Sequence, residues 1–163
     1  MQKKWYNKSM GKILSQLHKY QENNRIEAKK AVGGLPRSIW ESYSAFANTG
    51  GGVILLGVAE NKKDKRLYPV DLPDPQRLIA QFLELVNDPR VVNRNLLKSR
   101  DVAVEEVDGK EIVVIRVPRA TRKQKPVYIG GNPMFGTYYR SGDGDFKCTP
   151  EQVEKMLNDA QKE

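Results

Sequence analysis

The run Ala45-Phe46-Ala47-Asn48-Thr49-Gly50-Gly51-Gly52-Val53-Ile54-Leu55-Leu56-Gly57-Val58 constrains the fold more than any other segment. A helical pattern stops at consecutive glycines, and a continuous apolar run of strand type follows at once. Glycine tolerates the positive φ angles that such a reversal requires. A bare glycine turn also leaves backbone N–H groups uncovered, so a second backbone or a phosphate can approach. The plainer reading is a helix C-cap that feeds a core strand. Both readings place Val53 to Ala59 at the centre of a sheet, because the run is apolar on both faces.

The flanking segments supply helices and further strands. Ser9 can cap a first helix with Met10, Ile13, Leu14, Leu17 and Tyr20 at helical spacing, and His18 lies on its surface. Arg25 to Ala31 reads as a short strand with Glu27 and Lys29 on one face. Gly33, Gly34 and Pro36 make a turn into a second helix, whose buried stripe is Ile39, Trp40, Tyr43, Phe46 and Ala47. Asn61 to Arg66 reads as an exposed loop. Asp74 or Pro75 opens a third helix carrying Leu78, Ile79, Phe82, Leu83 and Val86, which Asp88-Pro89 ends. Val102–Val107 and Ile112–Val117 flank Asp108-Gly109 and predict a β-hairpin with a type I′ turn. Pro118 to Pro126 is a basic loop. Short strands at Val127–Ile129 and Thr137–Arg140 bracket a turn at Gly130–Pro133, and Thr149 or Pro150 starts a last helix with Val153, Met156 and Leu157. The reading is an α+β fold with a mixed central β-sheet and packed helices, one domain over residues 1–163 with an ordered core of residues 9–160.

Composition narrows the chemistry. The chain has 163 residues, 39% hydrophobic and 29% charged, with a formal net charge of +8. No apolar run is long enough to cross a membrane, and Met1-Gln2-Lys3-Lys4-Trp5-Tyr6 lacks the apolar stretch of a signal peptide, which together place the chain in the cytoplasm. One cysteine, Cys148, and one histidine, His18, rule out an internal disulfide and zinc sites needing several such ligands, and they disfavour a Ser-His-Asp triad. The glycine run lacks the Lys-Ser/Thr of a phosphate-binding P-loop. Basic residues cluster at Lys62, Lys63, Lys65 and Arg66, at Arg90, Arg94, Lys98 and Arg100, and at Arg116, Arg119, Arg122, Lys123 and Lys125. Such clusters attract polyanions because phosphate neutralisation releases condensed counterions; the alternative is a merely solvated basic surface.

Two groups of residues carry candidate chemistry. Glu22, Glu27 and Glu60 are acids on or near neighbouring strands, and converging carboxylates could hold Mg²⁺ or Mn²⁺ for phosphodiester hydrolysis; against this, Glu27 can simply pair with Lys29. Tyr138, Tyr139, Arg140 and Ser141 precede Gly142. An Arg among aromatics can hold a phosphate, and Tyr rings can stack on unpaired bases; the alternative is core tyrosines around an edge-strand Arg.

Several of these pieces, in this order, resemble one known family. Glu22-Asn-Asn-Arg-Ile-Glu27-Ala-Lys29 resembles the opening E-x-x-x-x-E-F-K element of the Schlafen AlbA-like domain family, with Ala28 in place of Phe. Ala45 to Gly52 followed by Leu56-Gly57-Val58 resembles its A-F-A-N-T-x-G-G-x-x-x-x-G-V core. Pro126-Val127-Tyr128 and Tyr139-Arg140-Ser141-Gly142 resemble its later elements, and the resemblance spans residues 14–158. It implies an α+β fold and a nucleic-acid-binding role. Bacterial and archaeal members are described as DNA-binding domains of transcriptional regulators, often ahead of an ATPase-like or winged-helix region. This chain ends at Gln161-Lys162-Glu163 without one, which fits an isolated module or a piece of a longer regulator. In the animal branch a three-acid site cleaves structured RNA with a divalent metal; Glu22 and Glu27 match two of those acids, and Glu60 is the candidate third.

The resulting expectation is a nucleic-acid-binding protein, DNA ahead of RNA, contacting phosphates through Lys29, Asn48, Lys62, Lys63, Arg119, Arg122, Lys123, Lys125, Tyr139 and Arg140. One alternative is a metal-dependent ribonuclease using Glu22, Glu27 and Glu60 with Mg²⁺ or Mn²⁺. Another is a dimerising module of a larger regulator, a homodimer pairing through apolar surface on the Leu78–Val86 helix.

Overall fold

A computed structural model describes Leu14 and residues 17–163. Ser9, Met10 and Ile13 of the expected first helix lie outside the described residues. Of its remaining stripe, Leu17 is buried in a short 3₁₀ turn, Leu17–Lys19, and His18 is exposed.

The main sheet has four strands in the order β1-β2-β6-β5. Strand β1 is Ile26–Lys29, β2 is Gly52–Leu56, β5 is Val102–Val107 and β6 is Lys110–Val117. Strand β1 runs parallel to β2, and the other pairs are antiparallel, so the sheet is mixed. Strand β2 is fully buried and interior, as its two-sided apolar sequence requires. Asp108 and Gly109 take φ of 51° and 76°, the left-handed pair that a type I′ turn needs between β5 and β6.

Alternation along β2 and β6 divides the apolar side chains between two cores. Ile54, Leu56, Val113, Ile115 and Val117 face one side, where helices α1 (Ile39–Asn48) and α2 (Pro75–Val86) pack. Val53, Leu55, Ile112 and Val114 face the other, with Leu17, Ile26, Val58 and Leu67. Trp40 of α1 stacks on Phe82 of α2 with ring centroids 5.1 Å apart. Helix α1 is buried on nearly every side, including Ser42, Ser44 and Asn48, so its polar groups must find protein partners. Asp74 caps α2 by accepting from the Arg77 N–H at 3.1 Å. Helix α2 spends Leu78, Phe82 and Val86 on the core and exposes Leu83 at 38%, so the apolar stripe expected to serve a dimer is used inside the chain.

Three sequence expectations need correction. The strand read as Val53–Ala59 breaks at Gly57, whose φ of 87° turns the chain out of the main sheet. Beyond it, β3 (Val58–Glu60) pairs with β4 (Leu67–Pro69) across the Asn61–Arg66 loop. Tyr128 and Ile129 make isolated bridges instead of a strand. The turn after them runs into a short helix, α3 (Pro133–Gly136). The later strand, β7 (Tyr138–Ser141), pairs with β8 (Gly144–Lys147), and helix α4 (Pro150–Gln161) follows behind a Thr149/Gln152 capping box.

The glycine turn is tightly specified. The Gly51 N–H closes on the Phe46 carbonyl at 2.8 Å, and Gly51 takes φ of 75°. A Cβ on Gly52 would lie 2.5 Å from the Phe46 ring. Phe46 is fully buried beneath the Arg140 guanidinium, which sits 4.8 Å from its ring centroid, so the ring has nowhere to retreat. Gly52→Ala is expected to destabilise the fold by about 1–3 kcal/mol, read as a lowered urea midpoint with an unchanged slope.

Candidate nucleic-acid interface

The carboxyl end of α1 organises two nearby segments. Asn48, its last residue, is buried at 6% exposure. Its Oδ1 accepts from the Val127 N–H at 2.8 Å, while its Nδ2 donates to the Val127 carbonyl at 2.8 Å and the Tyr138 carbonyl at 3.0 Å. The Ala120 N–H donates to the Ala47 carbonyl at 2.8 Å. These bonds pin both ends of the basic loop, residues 118–126, to one helix terminus. Arg94 braces its middle, with Nε donating to the Gln124 carbonyl at 3.1 Å.

The pinned loop forms one wall of an open groove of about 710 Å³. Arg119, Arg122 and Lys125 line it from the loop, Tyr139 from β7, and Lys155, Met156 and Asp159 from α4. Four cations thus face one acid in the lining. Burial pushes the Lys125 pKa down, and the Arg119 charge lowers it further. An anion entering the groove would relieve that repulsion. Asp159 is already engaged, accepting from Lys155 at 3.0 Å and Lys162 at 3.1 Å, and its backbone carbonyl accepts from Arg122.

Strand β7 alternates, so Arg140 points away from the groove that Tyr139 lines. The Arg140 side chain is 0% exposed. Its guanidinium donates to the Asn23 carbonyl twice, at 3.1 and 2.8 Å, to the Ile26 carbonyl at 3.1 Å, to Glu27 Oε1 at 2.9 Å and to Asp145 Oδ1 at 2.7 Å. Every N–H of the group is spoken for. Burial alone would lower its pKa, but the bonds to Asp145 and Glu27 outweigh that and hold it up. Arg140 is therefore a strut between β1, β7 and β8, and no donor is left for a phosphate.

The other expected contacts divide in the same way. Asn48 is a buried clamp, which corrects its assignment to nucleic acid. Lys29 is 11% exposed and donates to Glu27 Oε2 at 3.2 Å and Ser38 Oγ at 3.0 Å, so it too is committed within the protein. Lys62 and Lys63 are exposed on the β3–β4 loop, and Lys123 is exposed on the basic loop; none of the three lines the groove. Arg119, Arg122, Lys125 and Tyr139 do line it. Lys155 escaped the sequence reading, since a lone Lys on an exposed helical face gives no local signal. Asp145 did too, because its partners Arg140 and Ser42 (Oγ donating to Oδ2 at 2.7 Å) lie on other elements.

The acids meet only in part. Glu27 and Glu60 both lie near enough to Glu22 to disfavour its charge. Burial, opposed by the Ala28 N–H at 2.8 Å and reinforced by the two neighbouring acids, pushes the Glu22 pKa up to about 7. Both Glu27 oxygens are taken by cations, Oε1 by Arg140 and Oε2 by Lys29. Glu60 lies 3.9 Å from Lys65. Among the described residues no group of three or more His, Cys, Asp or Glu side chains is arranged to hold a metal ion. As arranged, these three glutamates do not fit the Mg²⁺ or Mn²⁺ that the animal-branch resemblance implied. No described helix is long and apolar enough to cross a membrane.

The model of the family "Schlafen, AlbA_2" matches residues 22–149. The chain belongs to this family. The AlbA_2 match covers the acid pair, the helix-glycine-strand core, the basic loop and β7–β8, and stops at the cap of α4. Among solved structures, the chain is similar to the N-terminal domain of a Nitrosomonas europaea protein named as related to the ATP-dependent DNA helicase RecG. The two are 33% identical with a TM-score of 0.61, over 85% of this chain and 92% of that one. The DIP2311 protein of Corynebacterium diphtheriae shares the fold at 16% identity and a TM-score of 0.57, over 90% of this chain and 30% of that one. No curated protein matches.

Two outcomes test the site's framework. Asn48→Ala strands the buried Val127 N–H, so a loss of about 2–4 kcal/mol is expected in urea unfolding. For Glu22, a folded-state pKa of about 7 exceeds the unfolded value, so the native state holds the extra proton and ionisation opposes folding. Stability should therefore fall as pH rises from about 4.5 to about 7; allowing for solvent screening at this half-buried group, the Glu22 share is on the order of 1–2 kcal/mol. Glu22→Gln should remove that share, so the wild-type-minus-variant difference measured at pH 5 and pH 8 should change by this amount.

Proposed function

We propose that the groove between the basic loop and α4 binds the phosphate backbone of a nucleic acid, DNA ahead of RNA. The observation that carries this reading is the convergence of Arg119, Arg122, Lys125 and Lys155 on one open groove. Like charges held together on a pinned scaffold cost free energy in the absence of an anion, and a polyphosphate chain is the ligand that relieves it while releasing counterions. The net charge of +8 would draw such a chain in from a distance. Membership of the AlbA_2 family and similarity to the amino-terminal domain of a helicase-related protein support the same reading. A place within a larger transcriptional regulator is consistent with this role: the domain would supply affinity for the polymer, and attached regions would supply the response.

Four groove cations in contact with phosphates give a log–log salt slope of about −3 to −4 for duplex DNA. Replacing Arg122 and Lys125 together with Gln should weaken binding and reduce the slope by about two. Fluorescence anisotropy across a salt series checks both numbers. A slope that stays the same in the double variant would move the contact away from this groove.

A further inference from the structure

The groove carries an aromatic feature that phosphate contact alone leaves unused. Tyr139 lines it, and Phe146 sits opposite Tyr139 in the β7–β8 register. The two ring centroids are 5.8 Å apart, with the planes inclined at 31°. Phe146 is 49% exposed despite this contact, and Tyr139 is half-buried. A phenylalanine kept half in water costs free energy unless something covers it. The ring's position is supported from below, because a Cβ on Gly144 would lie 2.9 Å from it. Asp145 between them faces Arg140 on the opposite side of the hairpin, so the rings and the buried ion pairs occupy opposite faces. Phe146, exposed outside the groove's lining, thus extends the aromatic surface of Tyr139 within it, on a hairpin locked from behind.

We propose that Tyr139 and Phe146 form a stacking platform for unpaired nucleobases, and that the groove's ligand is a single-stranded segment. This rests on the phosphate-binding reading above and names its substrate class. The charge of Arg119, Arg122, Lys125 and Lys155 selects a polyanion, and the rings add affinity only where bases are free to leave their own stack. Bases inside a duplex are already stacked and offer no face to a side chain. A cross-strand aromatic pair also stabilises a hairpin without any ligand. The experiment has to separate that role from recognition.

The probes are a thymidine oligonucleotide, an abasic deoxyribose-phosphate chain of the same length, and a duplex of matched charge, each titrated by anisotropy. The oligonucleotide is expected to bind the wild type about tenfold or more tightly than the abasic chain. Tyr139→Leu and Phe146→Leu, which keep apolar contact across the hairpin, should close that gap while leaving the salt slope unchanged. Phe146→Tyr should preserve it. Thermal melts of all variants control for folding. Equal, salt-dependent binding of the oligonucleotide and the abasic chain would overturn the stacking platform and leave the phosphate groove standing. Salt-insensitive binding of all three probes would overturn the groove and the platform together.

Discussion

A fully buried guanidinium must be matched donor for donor, and Arg140 sets that requirement at the centre of this molecule. An unpaired charge at zero exposure would be far too costly to keep. Its partners therefore fix the positions of Asn23, Ile26, Glu27 and Asp145, which belong to segments distant in sequence. Phe46 of α1 lies under the same group. The acid pair, the edge strand and the β7–β8 hairpin are consequently arranged around one cation. The strut also explains why the acids do not converge on a metal: Glu27 has both oxygens neutralised from within.

The carboxyl end of α1 extends that order to the surface. Its Ala47 carbonyl and Asn48 amide hold the two ends of the basic loop. A loop rich in like charge would spread if left free, because repulsion and chain entropy act in the same direction. Pinning it half-buries Lys125, which lowers its pKa, and holds Arg119 close enough to lower it further. The helix-glycine element thus shapes the loop that forms a wall of the groove.

Much of the fold was legible because it depends on local periodicity and backbone chemistry. The Asp108-Gly109 hairpin, the Asp74 cap and the buried run after the glycines all follow from what neighbouring residues allow. The missed elements depend on partners far along the chain. The apolar neighbours of Gly57 favour a continuous strand, yet its φ of 87° breaks it. Gly144-Asp145-Phe146-Lys147 has no strand pattern of its own, and β8 exists only by pairing with β7.

The site divides along the same line. The sequence by itself determined that the chain carries excess positive charge, that the basic residues of positions 119–125 sit in an exposed loop, and that Asn48 closes a helix before a glycine turn, since each of these follows from composition or from neighbours within a few residues. Only the tertiary structure decided which cations face solvent. Arg140 and Lys29 look like Arg122 and Lys125 on paper, and all four could reach a phosphate. Burial against Glu27 commits the first two to the interior, whereas the groove leaves the other two at its wall, because desolvation and ion pairing depend on what surrounds a side chain in space.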